Sequence, residues 1–450
     1  MKLNNRRTIL VGLAFLSICT FWQMYDSVMT LILTDTFKLN ETFAGAIMAA
    51  DNVLALFLLP FFGALSDKTS TRIGRRMPFI VGGTALAAIL MNLIPLLDDR
   101  YAANPSTGTL VLFIIVLGLL LVSMGTYRSP AVALMPDVTP KPLRSKANAV
   151  INLMGSAGGI IVLALGMVFA TASVSNSMMS YTGYFGVIAA LMLAALVVFM
   201  LTVREPEWAR EMQAQSVAAG IEDAEEADHP NEGRKLSADE VKSLLLILLS
   251  IVLWFFGYNA VTSKYSVYAS NILHKDYNLT LIIAQAAAIA AYLPVGFIAG
   301  KIGRKKTILA GVVMLTVAFG VAGFLTADSP SALMNAMFAL AGIAWATINV
   351  NSFPMVVELA SGGDVGKYTG FYYTASMAAQ VATPMVSGLL MDKFGMHVLF
   401  PYAAVFTALA FVTMLFVKHG DSREMPKQTA AAGTEDAGAI DNTVEELTND

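Results

Sequence analysis

Residues 109–135 read TLVLFIIVLGLLLVSMGTYRSPAVALM, an apolar run broken by one charged side chain, Arg128. At 1.5 Å of rise per residue, about 20 residues of α-helix cross a hydrocarbon core ~30 Å thick, so this run has the length of a membrane span. Working outward, hydropathy marks eleven more. The first six spans lie near 8–34, 43–65, 78–97, 109–135, 147–171 and 182–203, and the second six near 242–270, 281–300, 307–326, 331–358, 367–391 and 398–417. The composition agrees: of 450 residues, 56% are hydrophobic and 14% charged, with mean hydropathy +0.65, where soluble domains carry roughly a quarter charged. A single cysteine excludes a disulfide scaffold. A net charge of −3 without a basic face argues against nucleic-acid binding. The expected fold class is all-α: a polytopic membrane protein of twelve transmembrane helices.

The basic segment Met1–Arg7 followed by an apolar run has the outline of a secretory signal, but the run continues to about Leu33, too long for one. It is read as the first span, retained. With the N-terminus inside, the short inner segments carry Lys2, Arg6, Arg7, Lys68, Arg72, Arg75, Arg76, Lys141, Arg144, Lys146, Lys301, Arg304, Lys305, Lys306 and Lys367, whereas the outer loops carry Lys38, Arg100, Lys275 and Lys393. This bias puts both termini in the cytoplasm and the chain in the cell (inner) membrane. Overall acidity comes from two polar segments, an acidic cytoplasmic linker (204–241) and a tail (418–450) expected to be disordered. They divide the chain into bundles 1–203 and 242–417.

The two bundles repeat. Tyr25-Asp26-Ser27-Val28 matches Tyr258-Asn259-Ala260-Val261; Asp51 and Pro60 match Gln285 and Pro294; Gly74-Arg75-Arg76 matches Gly303-Arg304-Lys305; and Asp137…Lys146 matches Glu358…Lys367 with the same spacing. Two pseudo-symmetric six-helix bundles joined by an inner linker are the plan of an alternating-access carrier, whose site lies between the bundles near the midplane.

Gly63-Ala64-Leu65-Ser66-Asp67-Lys68, followed by Arg72-Ile73-Gly74-Arg75-Arg76-Met77-Pro78-Phe79, resembles the loop-2–3 signature of the major facilitator superfamily. Its long form ending in Pro-Phe resembles the glycoside–pentoside–hexuronide:cation symporters and their sucrose-transporter-like branch, as do Arg128, Pro136-Asp137, Arg144 and Ala147-Asn148. The resemblance implies a secondary carrier importing a di- or oligosaccharide glycoside with a cation. In the melibiose-type members, carboxylates one and five residues before the span-2 Pro-x-x-Gly bind that cation. Here those positions are Leu59 and Ala55, so the resemblance favours a proton over sodium.

Ionisable groups inside a bilayer cost ~2.5–3.5 kcal/mol each on insertion scales, so each requires a reason. Four stand out: Asp26 in span 1, Asp51 in span 2, Arg128 in span 4 and Lys264 in span 7. By helical rise, Asp26 and Asp51 lie ~12 Å and Lys264 ~9 Å below the outer edge, while Arg128 lies ~10 Å above the inner one. Desolvation favours a neutral carboxyl and a nearby cation favours a charged one. A group held between those influences can load and release a proton. Asp26 and Asp51 are therefore the cation-coupling candidates, with Lys264 and Arg128 as charge partners. The alternative is a static ion pair that only fixes packing.

Sugars present apolar ring faces and many hydroxyls, which suit aromatic stacking and amide brackets. Trp22, Tyr25, Trp254, Tyr258, Asn259, Tyr265, Trp345, Asn349 and Asn351 lie on spans 1, 7 and 10, which line the cavity in the resembled fold, and Gln285, Tyr372, Tyr373 and Gln380 extend the set. Taken singly, any of these aromatics is equally an interface anchor. Asp67, Arg75, Arg76, Asp137, Arg144, Glu358 and Lys367 sit where the superfamily forms an inner gate; for the basic ones, inside topology is the competing explanation. No metal ligand spacing, phosphate loop or catalytic cluster appears, so neither an enzyme nor a cofactor is expected. The expected partners are a small-molecule sugar, a proton and the lipid bilayer, with the protein acting as a monomer. The rival reading is a major facilitator carrier of a non-sugar solute, an organic anion or a drug, as an exporter or with sodium.

Overall fold

A computed structural model describes residues 3–39, 41–169, 180–221, 236–275, 278–360 and 363–421. Lys2, residues 222–235 of the linker and residues 422–450 of the tail lie outside these residues. Among them are thirteen α-helices and no strand. In lipid every backbone polar group must be satisfied within its own segment, and a helix does this for an apolar chain. The helices are α1 (Asn5–Leu31), α2 (Glu41–Lys68), α3 (Met77–Ala103), α4 (Thr107–Asp137), α5 (Arg144–Val168), α6 (Thr182–Thr202), the short α7 (Glu205–Ala218), α8 (Ala238–Tyr268), α9 (Asn278–Ile302), α10 (Arg304–Ala322), α11 (Ser331–Val357), α12 (Val365–Phe394) and α13 (Leu399–Leu415).

Among the described residues eleven spans are long and apolar enough to cross a membrane, all but α12 of the twelve long helices. The reason lies in its sequence: α12 spends Thr369, Tyr372, Tyr373, Ser376, Gln380, Thr383 and Ser387 on the inside of the protein. The outer faces are apolar. On α2, Val53, Phe57, Phe61 and Leu65 recur every fourth residue and are exposed, as lipid-facing side chains on one face of a helix must be.

Each half packs on itself, through α1–α5, α3–α4, α2–α4 and α3–α6 in the first and α9–α11, α10–α11, α8–α13 and α10–α13 in the second. The halves meet chiefly through α2–α12 and α5–α9. Backbone geometry repeats between them. α1 and α8 each end in a π-turn, Ile32–Thr36 and Ala269–Leu273. Each turn is followed by a left-handed residue, Lys38 (φ 54°) and His274 (φ 52°), and the loops before α3 and α10 both need a positive-φ glycine, Gly74 and Gly303.

The linker and tail also do more than tether. Glu205, the first residue of α7, accepts from the backbone N–H of Arg75 (2.9 Å), Arg76 (3.0 Å) and Met77 (3.0 Å) at the start of α3. Asp421, just past α13, accepts from Arg304 (2.5 Å) and Lys305 (3.2 Å) at the start of α10. Burial pushes the Glu205 carboxyl up, while the amide donors and Arg76 pull it down.

At the end bearing the basic loops, α2 and α12 approach at backbone distance. A methyl group at Gly370 would lie 2.4 Å from Pro60 Cα, and one at Gly63 would lie 2.3 Å from the Gly366 carbonyl oxygen. Overpacking of this kind costs about 1–3 kcal/mol, which outweighs the up to ~1 kcal/mol that alanine gains over glycine in a helix. Gly370→Ala is expected to lower the apparent Tm by several degrees. Gly388→Ala on the same helix, where nothing lies within 4 Å, should leave it unchanged or raise it. Equal melting of both variants would contradict this packing.

Candidate functional site

The basic-loop end is closed by charge. Arg76 is fully buried at the start of α3, with its Nη2 donating to Asp67 (2.5 Å) and its Nε to Asp137 (2.8 Å), while Nη1 bonds to Ser66 Oγ. Arg75 donates to Asp137 through Nη2 (2.8 Å). Desolvating a guanidinium costs several kcal/mol, recovered only when carboxylates and further acceptors surround it, as here. Asp67 then crosses to the other half, accepting from the N–H of Gly366 (2.9 Å) and Lys367 (2.7 Å) at the positive end of α12. Lys367 thus contributes its backbone, and its exposed side chain lies over Phe371.

A second cluster stands opposite. Arg304, also fully buried, donates to Glu358 (2.6 Å) and, across the halves, to Ser145 Oγ (3.0 Å) and the Lys141 carbonyl. Arg144 donates to the carbonyls of Val357 (3.0 Å), in the other half, and Pro136 (3.1 Å), and Asn148 donates to that of Val350 (2.9 Å). The seven expected inner-gate residues are therefore gathered at one end. Arg304, which the sequence offered as a topology signal and a repeat match, stands with them.

Above this floor lies a cavity of about 420 Å³ between the halves, within the ~300–1,000 Å³ of ligand pockets. Asp26, Asp51 and Arg128 line it together with Trp22, Trp345, Asn349, Tyr372, Tyr373 and Gln380. The guanidinium of Arg128 sits between two rings, 5.2 Å from the centroid of Trp22 in the first half and 5.1 Å from that of Tyr373 in the second. Trp22 is one helical turn from Asp26 on α1. The long arginine side chain thus reaches the carboxylates' neighbourhood, although its Cα starts nearer the inner edge. Arg128 Nε, Trp22 Nε1 and Asp51 Oδ1, on residues that line this cavity, are buried with no hydrogen-bond partner among the described residues. Tyr258 stacks on Trp345 at 3.8 Å and 5°, fixing the opposite aromatic wall from behind.

The remaining candidates are placed elsewhere. Tyr25 and Trp254 are fully buried in the packing, Tyr265 joins an aromatic cluster with Phe338 and Phe400, and Asn351 is buried with its amide on the Thr347 carbonyl. Gln285 is exposed, and Asn259 and Lys264 are half-buried; none of these lines the cavity. The structure adds Phe15, Cys19, Asn52, Asn148, Asn152, Phe255, Phe353 and Ser376 to the lining. Their signal was helical spacing: Phe15, Ile18, Cys19, Trp22 and Asp26 form one stripe of α1.

Two repeated bundles, a charged closure at one end and a polar–aromatic cavity between them define a membrane carrier. The Major Facilitator Superfamily profile matches residues 11–291 and 248–440, and the chain belongs to that superfamily, whose members are transporters and not enzymes. Sucrose transport protein SUC3 of Arabidopsis thaliana is 30% identical over 157 residues, 32% of this chain and 26% of that one. An uncharacterized symporter of Synechocystis, sll1374, is 26% identical over 202 residues, 42% of this chain and 37% of its own. The matched stretches thus span 26% and 37% of these relatives, which fit the sugar-transporter-like branch. Among solved structures, the proton:xylose symporter XylE superposes with TM-score 0.70 at 16% identity, covering 93% of this chain and 96% of that one. The human organic anion transporter MFSD10 does so with TM-score 0.69 at 14% identity, covering 92% and 100%. At such identities the likeness is one of fold.

Proposed function

We propose that the protein imports a sugar, a di- or oligosaccharide glycoside, in symport with protons by alternating access. It would work as a monomer in the cell (inner) membrane with both termini cytoplasmic. The observation that carries this reading is the cavity itself, lined by two carboxylates and one guanidinium together with Trp22, Trp345 and a set of amides. Closure at the basic-loop end, the cytoplasmic side by the charge bias, supports reading this as the outward-facing form. Asp26, exposed on α1, takes its proton from outside.

A sugar that stacks on Trp22 and Trp345 touches both halves and draws them together, and that differential contact is what shifts the conformational balance. Release inside then requires the Asp67 and Arg304 contacts to part. The carboxylates outnumber the cation, so the lining favours a neutral polyol over an organic anion. With Leu59 buried and Ala55 beside it on α2, Asp51 lacks carboxylate neighbours on that helix for a sodium cage, which favours a proton.

Counterflow in proteoliposomes across mono-, di- and oligosaccharides and organic anions tests the substrate class. Disaccharides and glycosides are expected to exchange and organic anions are not. Exchange of an anion with no sugar exchanged would overturn the reading.

A further inference from the structure

A second cavity of about 480 Å³ lies on the lateral surface between the halves at the closed end, among Asn5, Ile9, Lys146, Val150, Leu293 and Phe297. Its walls come from α1 and α5 of one half and α9 of the other. Ile9, Leu293 and Phe297 are exposed, so in a membrane the groove faces lipid. Lys146 is the third residue of α5. Its ammonium lies 5.4 Å from the Phe297 ring centroid, and its stem crosses α9 at Gly300, where a methyl group would lie 2.9 Å from Lys146 Cε. Among the described residues no carboxylate is paired with it. Lys301, exposed at the end of α9, stands four residues after Phe297 on the same helix face. From Lys146 the groove runs along α5 to Met154, about 12 Å deeper at helical rise. It is polar at headgroup level and apolar below.

We infer that this groove binds an anionic phospholipid, its phosphate on Lys146 and Lys301 and an acyl chain along Val150, Met154 and Leu293. Both ends match what the bilayer presents there: basic side chains between helices take anionic headgroups, and the apolar trough takes a chain. On the alternating-access reading, the bound lipid touches α5 and α9 together and so favours the form closed at this end.

The test is native mass spectrometry of the delipidated protein titrated with phosphatidylglycerol or phosphatidylcholine of identical chains. One lysine near an anionic lipid is worth a factor of about five. Wild type should therefore hold one phosphatidylglycerol at least about fivefold in preference. K146Q should cut that preference about fivefold, K146Q/K301Q should abolish it, and V150W, which fills the trough, should lose the tight adduct of either lipid. K306Q, at an exposed lysine away from the groove, should match wild type. Wild type without headgroup preference, K146Q retaining all of it, or V150W keeping the adduct would each overturn the site. Should K146Q fail to fold, V150W decides. None of these readouts depends on transport.

Discussion

Asp26→Asn and Asp51→Asn are expected to divide transport into two behaviours, with at least one abolishing uphill accumulation while sugar exchange continues. An imposed 100 mV is worth ~2.3 kcal/mol per proton, which at ~1.4 kcal/mol per tenfold sustains about fiftyfold accumulation. A carrier that cannot load the proton only equilibrates, so the accumulation ratio falls to about one. Exchange of sugar for sugar needs no net proton movement and should persist wherever asparagine preserves the side chain's shape. Both carboxylates line the cavity and Asp26 is exposed. A role as a merely structural ion pair would instead reduce both activities together through misfolding. Uphill uptake and exchange both intact in both variants would remove the coupling role from these residues.

Asp67→Asn is expected to open the opposite end. The carboxylate accepts from Arg76, Gly366 and Lys367 at once, and a hydrogen bond to a charged group is worth ~1.5–3 kcal/mol. The cost falls on the closed form, because the bonds to Gly366 and Lys367 join opposite halves. A shift of ~3 kcal/mol moves the equilibrium by about two orders of magnitude. Cys19, the single cysteine, lines the cavity and reports access. In vesicles exposing the basic-loop face, its labelling by an impermeant maleimide should accelerate up to about a hundredfold in Asp67→Asn, within the same energy range. An unchanged rate in a folded variant would show that this contact does not hold the gate.

The span pattern, the two halves and the charge cluster at the basic-loop end were legible in the sequence because each rests on a signal with few alternatives: run length, repeats in the same order, and charge placement. Acids beside the inner loops, such as Asp67 and Asp137, had no topological excuse. The cavity lining was less legible, because an apolar span buries one face against protein and another against lipid. Residue type alone does not tell Trp22 from Tyr25, three positions away on α1, yet one lines the cavity and the other is packed behind it. Gln285 occupies the span-8 position matching Asp51 and is exposed without lining that cavity. Nothing in the sequence alone assigns the amides Asn52, Asn148 and Asn152 to a cavity face. Anchoring each helix on one certain cavity residue and stepping by three and four recovers them, as with Asn148, Ile151 and Asn152 on α5. Glu205 and Asp421 were hidden in segments whose acidity read as solubility. Nothing in composition announces that two of those acids cap α3 and α10.

The central claim is that sugar and proton enter together through this cavity. The direct measurement is luminal pH in wild-type proteoliposomes loaded with a pH-sensitive dye, with a transported disaccharide added outside and no sodium present. The account predicts prompt acidification of the lumen that scales with sugar uptake and disappears in the coupling-deficient carboxylate variant. Sugar entry with no change in luminal pH, or entry only when sodium is supplied, would contradict it.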